Sequence, residues 1–178
     1  NSAEKLVKMA LERDCTGVTS TYNEPLITSE WALEVFKLAK KKGLMTSYVS
    51  NGHATPEVLE YLGPHLDLMN VDLKCFDAKS YAKLGGKLEA VLETIEALAA
   101  SDIWLEVVTL LVPGFNDTPE EMTAMADFLA RTDPDIPWHV TAFHSDYKLS
   151  DTPSTPDKTL LKAYKLGKEA GLNYIYPG

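Results

Sequence analysis

Leu68-Met69-Asn70-Val71-Asp72-Leu73-Lys74 is the stretch on which the fold turns. It reads as a strand, because successive side chains of a strand point to opposite faces. Met69, Val71 and Leu73 then share one face, and Asn70, Asp72 and Lys74 share the other. A polar stripe on so apolar a strand needs a cause, since an unpaired buried charge is costly. Two causes stand side by side. Asp72 and Lys74 neutralise each other, or they receive a zwitterion, with Lys74 on its carboxylate and Asp72 on its ammonium.

Helices flank this strand on both sides. Thr55-Pro56-Glu57-Val58 opens a helix before it, with Thr55 as N-cap and Pro56 at the first helical position. Ala78 to Leu84 is a short helical piece after it. The same alternation runs along the whole chain. Helices are predicted over Ser2 to Arg13, Thr28 to Lys42, Leu88 to Ala100, Asp117 or Thr118 to Arg131, and Thr159 to Ala170. Strands are predicted over Gly17 to Tyr22, Leu44 to Val49, Ile103 to Val112, Trp138 to Phe143, and Asn173 to Tyr176. Near-continuous apolar strands separated by helices make a parallel α/β sheet covered by helices. The pattern fits an open doubly wound sheet or most of a (β/α) barrel. No Gly-x-Gly-x-x-Gly follows any strand, which leaves dinucleotide binding without support. With no repeats and no low-complexity linker, the expectation is one domain over residues 1–178.

Composition narrows the function classes. The 178 residues are 45% hydrophobic and 24% charged, as in ordinary globular domains. A net charge of −9 argues against nucleic acid as a partner, because phosphate binding needs basic patches. No apolar run of membrane-spanning length and no signal-peptide pattern is present, so no membrane role is expected. Cys15 and Cys75 follow no CxxC spacing, which points to a reducing, cytoplasmic setting and gives no metal-binding thiolate cluster. The chain opens at Asn1 rather than Met, and the expectation is that missing motifs lie upstream.

Sites in parallel α/β folds lie at the carboxyl ends of the strands. Polar residues gather there: Asn23 and Glu24, then Ser50, Asn51 and His53, then Asp72 and Lys74. Thr109 and Asn116-Asp117 flank the next end, and His139 and His144 the last. Each has an ordinary structural reading. Asn51-Gly52 is a common turn pair, and a residue before proline favours an extended bend. The other ends of the strands carry little comparable chemistry.

Taken in order, Thr21-Tyr22-Asn23-Glu24-Pro25, Ser50-Asn51-Gly52, Asn70 to Lys74, Val112-Pro113-Gly114-Phe115-Asn116-Asp117 and Trp138 to His144 form a set. This set resembles the radical S-adenosylmethionine (SAM) enzymes related to pyruvate formate-lyase activating enzyme. Within that group it is most similar to the radical SAM enzyme of the AmmeMemoRadiSam system, on the strength of Tyr-Asn-Glu-Pro, Trp138-His139-Val140 and Asp146-Tyr147-Lys148. The resemblance implies a partial TIM-type (β/α) barrel lacking its first strand and cluster loop, with SAM lying across the strand ends. Asn23 and Glu24 stand at the family's Gly-Gly-Glu-Pro element, which meets the methionine amino group. Asp72 and Lys74 match a pair that holds the amino group and the carboxylate. Ser50 and Asn51 match the pocket lining, Val112 and Pro113 the wall near adenine, and His144 a histidine near the ribose or the substrate. Val49 stands where the activating enzymes often carry an acid, so that contact is expected to be absent.

The family's Cys-x3-Cys-x2-Cys loop, which binds a [4Fe–4S] cluster, is missing from the sequence, and Cys15 and Cys75 do not replace it. The resemblance implies a complete enzyme that cleaves SAM reductively to a 5′-deoxyadenosyl radical. That radical abstracts hydrogen, as in glycyl-radical activation of a partner protein, with flavodoxin or ferredoxin as electron donor. This chain alone is expected to be inactive, to carry no catalytic residue of its own and to bind SAM poorly. The alternative is a cluster-free binding module that keeps the barrel fold. An aldolase or hydrolase built on Lys74 has little to support it.

Overall fold

A computed structural model describes residues 2–146 and 149–178. Six strands form one sheet in the order β1-β2-β3-β4-β5-β6, and every neighbouring pair is parallel. They are β1 Gly17–Ser20, β2 Met45–Ser50, β3 Leu68–Asp72, β4 Trp104–Leu111, β5 Trp138–Ala142 and β6 Ile175–Pro177. The helices are α1 Ala3–Glu12, α2 Ser29–Lys41, α3 Pro56–Leu62, α4 Ala78–Lys83, α5 Leu88–Ala99, α6 Pro119–Thr132 and α7 Asp157–Ala170. No helix among the described residues is long and apolar enough to cross a membrane.

Sequential strand order decides between the two architectures. Each crossover steps the same way, and right-handed crossovers then place every helix on one face of the sheet. The result is an open, partial (β/α) barrel rather than a doubly wound sheet. Burial follows this geometry strand by strand. In β3, Met69 and Val71 are buried while Leu68, Asn70 and Asp72 are only partly covered. In β4, Leu105, Val107, Thr109 and Leu111 are buried, whereas Trp104 and Leu110 are exposed. One face therefore packs on helices through Tyr48, Met69, Val71, Val107, Trp138 and Val140, and the other lies open.

Several boundaries differ from the sequence reading, for local reasons. β1 stops at Ser20 because Tyr22 and Asn23 turn left-handed, with φ of 70° and 51°. The helix expected from Thr28 is preceded by a 3₁₀ turn, Pro25–Thr28, and the Thr28 hydroxyl donates back to Pro25 O rather than capping α2. α7 begins at Asp157, just after Pro156. β6 begins at Ile175, because the Asn173 N–H turns away to Pro134 O and its side-chain amide to Asp135.

Candidate functional site

The loop after β1 carries two consecutive non-glycine residues in the left-handed region, Tyr22 and Asn23. Each such residue costs on the order of 1–3 kcal/mol, so the surrounding contacts must hold it. The resemblance puts two glycines at these positions, and the backbone conformation is the one glycine prefers. Glu24 supplies the hold. Its Oε1 accepts from the Ser50 hydroxyl at 2.8 Å and the Leu26 N–H at 3.0 Å, and its Oε2 accepts from the Asn51 N–H at 2.7 Å. The carboxylate thus ties the β1 loop to the end of β2. Ser50 is buried and also accepts from the Gly52 N–H. Asn51 is half-buried and accepts from the His53 N–H at 2.9 Å.

His53 extends this brace. Its Nδ1 lies 3.1 Å from Asn51 Oδ1, and its Nε2 accepts from the Lys87 N–H at 2.8 Å. The ring is therefore a hydrogen-bonded spacer between the β2 end and the loop before α5. Gly86 is required beside it, since a Cβ there would come within 2.7 Å of His53 Cε1.

At the end of β3, Lys74 Nζ donates to Asp72 Oδ2 at 2.8 Å. Both side chains are more than a third exposed, on the open face of the sheet. Their backbone is fixed from beneath. The Tyr81 hydroxyl accepts from the Lys74 N–H and donates to Asp72 O. Burial pushes the Tyr81 phenol up to about 12, so it remains a donor at any ordinary pH. The fully buried Asn116 donates to Lys74 O and Leu110 O and accepts from the Val112 N–H. That single amide joins the ends of β3 and β4 and sets the turn containing Val112 and Pro113, both half-buried.

The structure thus brings Glu24, Ser50 and Asn51 into one network, and Asp72 and Lys74 into one pair. Asn23 is exposed beside the first of these, and His144 is exposed just beyond β5. Thr109 faces the helices rather than the site and is fully buried. Tyr147 and Lys148, two of the residues that suggested a subgroup, lie outside the described residues. Glu106 was missed by the sequence reading. It accepts from the Trp104 indole N–H and lies 3.0 Å from His139 Nε2, on the same open face. A carboxylate in the middle of an apolar strand was the available signal.

The chain belongs to the radical SAM superfamily, whose sequence pattern matches residues 1–129. It is 36% identical to an uncharacterized protein of Methanocaldococcus jannaschii over 98% of this chain and 52% of that one. It is 26% identical to the pyruvate formate-lyase-activating enzyme of Clostridium pasteurianum over 94% of this chain and 78% of that one. A solved domain of the pyruvate-formate lyase-activating enzyme from Bacteroides vulgatus superposes with a TM-score of 0.80 at 21% identity, over 91% of this chain and 98% of that one. The chain spans about half the length of the archaeal relative.

The family uses SAM and a [4Fe–4S] cluster. The described residues fit the first and not the second. Asp72 and Lys74 present opposite charges side by side on an open face, which complements the zwitterionic methionine end of SAM. No group of three or more metal-binding side chains occurs among the described residues. Cys75 is buried and its thiol is pushed up to about 11 by burial, the reverse of what a thiolate ligand needs. Cys15 is exposed at the start of the sheet, far from the strand ends in chain order.

Proposed function

We propose that this chain forms the SAM-binding part of a radical SAM enzyme of the activating-enzyme type. The single observation behind this reading is the half-exposed Asp72–Lys74 pair, braced from below and open above. A pair that served only the fold would gain little, because exposed ion pairs contribute about 0–1 kcal/mol. In this reading Lys74 turns from Asp72 to the SAM carboxylate, and Asp72 takes the SAM ammonium. Glu24 holds the left-handed backbone at Tyr22 and Asn23 against the methionine end. Ser50 and Asn51 fix that loop from β2, Val112 and Pro113 wall the adenine side, and His144 stands over the ribose. SAM reduced at a cluster supplies hydrogen-atom abstraction. The cluster cysteines would come from sequence upstream of Asn1. A protein partner whose glycine is activated is the favoured substrate, since the names of similar proteins describe activating enzymes for lyases. A cytoplasmic setting with flavodoxin or ferredoxin as donor goes with this, as does membership of the AmmeMemoRadiSam subgroup.

The test is SAM affinity by calorimetry in the cluster-loaded, full-length protein. Asp72→Ala and Lys74→Ala are each expected to weaken binding by about 1–3 kcal/mol, the scale of a lost charge-assisted contact. Unchanged affinity in both returns the pair to a purely structural role. A complete gene without Cys-x3-Cys-x2-Cys would instead favour the cluster-free binding module.

A further inference from the structure

Deeper on the open face, away from the strand ends, lies a second group that the SAM reading leaves unused. Asn70 stands opposite Glu106 in the β3–β4 register, and Val108, His139 and Tyr176 stand level across β4, β5 and β6. Asp72 is level with the same row, two strands from His139. Neighbouring strands are about 4.8 Å apart, so the two backbones are roughly 10 Å apart. A ligand held at His139 therefore lies on the same face as the Asp72–Lys74 pair, two strands away.

The chemistry of the row is specific. The Trp104 indole N–H donates to Glu106 Oε1 at 3.1 Å, and Glu106 Oε2 lies 3.0 Å from His139 Nε2. A carboxylate accepts only, so the hydrogen between them sits on Nε2. In the neutral ring this leaves the Nδ1 lone pair as an acceptor. No partner meets Nδ1 among the described residues. Asn70 Oδ1 is closed off from solvent and also has no donor among them. An unsatisfied acceptor of this kind is costly, and a rotation toward a ligand donor recovers the lost hydrogen bond. Around His139 and Glu106 the surface is aromatic. Tyr176 stacks on His139 with centroids 5.0 Å apart and rings inclined by 21°. Trp104 and Tyr176 are both about half exposed, at 52% and 50%. Large apolar surface with a few oriented polar groups is the composition of a small-molecule site.

We infer that Asn70, Glu106 and His139 form a second ligand subsite, which takes an aromatic or heteroaromatic ring bearing an O–H or N–H donor. Trp104 and Tyr176 receive the ring and His139 Nδ1 receives the donor. Glu106 is a positioning residue, fixing the His139 tautomer. That this ring belongs to the substrate of the radical reaction rests on the SAM reading; the binding itself does not.

The experiment uses 4-methylphenol, and 4-methylanisole as the same ring without a donor, titrated into the same full-length protein as the SAM measurement. The readout is the His139 ring nitrogens and the Trp104 indole N–H by nuclear magnetic resonance. Saturable shifts at both residues are expected, with the phenol bound about tenfold more tightly, the equivalent of one hydrogen bond. His139→Phe is expected to erase that preference while keeping ring binding, and Glu106→Gln to reduce it and to redistribute the His139 tautomers. Equal binding of the two probes, no saturation, or a preference that survives His139→Phe overturns the inference. Neither probe involves SAM. Weakened SAM binding in the Asp72 and Lys74 variants without probe selectivity sinks this inference alone. Selectivity with unchanged SAM affinity sinks the SAM reading alone.

Discussion

Glu24 shows how one side chain is consumed by geometry before it meets a ligand. Three donors from two loops converge on its carboxylate, which leaves its backbone and the left-handed residues before it as the part that faces outward. Glu24→Gln keeps one acceptor and turns the other toward a donor, so at least one of the three bonds fails. A loss of about 1–3 kcal/mol in urea unfolding is expected. Ser50→Ala removes one of the donors, so its effect and that of Glu24→Gln should be less than additive in a double-mutant cycle. Additive effects would mean that the two residues act separately. If Glu24 were instead a direct ligand with no bracing role, SAM affinity would fall in Glu24→Gln with the urea midpoint unmoved. The sequence displayed Glu24 at a strand end. It did not display the brace, because Ser50 lies 26 positions away and no local pattern encodes that meeting. The Asp72–Lys74 pair was legible for the opposite reason: two residues of one strand, two apart, necessarily share a face.

At the opposite end of the strands an element-scale clamp is made by Asp67. Its carboxylate accepts from the Thr46 N–H at 2.9 Å and pairs with Lys40 of α2, so it joins β2, β3 and α2. Partial burial raises its proton affinity, but the Lys40 ammonium and the Thr46 donors outweigh this and hold the carboxyl below its ordinary value. The sign follows from linkage. A carboxyl depressed in the folded state binds protons more readily when unfolded. Its stabilisation is therefore complete above the unfolded value near 4 and is lost as the pH falls through the folded one. Urea midpoints measured from pH 6 down to pH 2.5 should fall more steeply in the wild type than in Asp67→Asn. Parallel curves would show that Asp67 contributes nothing to acid sensitivity. Because the pair is about a third exposed, added salt should narrow the difference. Element boundaries were less legible than element types. The hydrophobic period located every strand, but where β1 ends and where β6 begins was decided by the left-handed turn at Tyr22 and Asn23 and by the contacts of Asn173, which periodicity does not carry.

On the scale of the whole sheet, the open face holds the candidate sites and the helix-covered face holds the molecule together, and one buried relay connects them. The Trp138 indole N–H donates to Thr109 Oγ1 at 3.0 Å, and the Thr109 hydroxyl donates to Leu73 O at 2.9 Å. Three adjacent strands, β5, β4 and β3, are thereby joined by a side-chain path that no water reaches, since Trp138, Thr109 and Leu73 are all fully buried. The path ends on the residue between Asp72 and Lys74, so the position of the charged pair depends on packing two strands away. Thr109 looked from the sequence like one more polar strand-end residue; its alternation with Leu105, Val107 and Leu111 is what turns it inward. Thr109→Val preserves shape but strands the indole N–H and the Leu73 carbonyl in an apolar core. With about 1–3 kcal/mol for each orphaned group, a combined loss of roughly 2–6 kcal/mol is expected in urea unfolding. Thr109→Ser keeps both bonds and gives up one methyl group, for about 1 kcal/mol. Valine should also speed amide exchange at Lys74 relative to serine, because the Leu73 carbonyl is no longer held. If valine proved no worse than serine in both measurements, the relay would be incidental, and Asn116 and Tyr81 alone would hold the end of β3 in place.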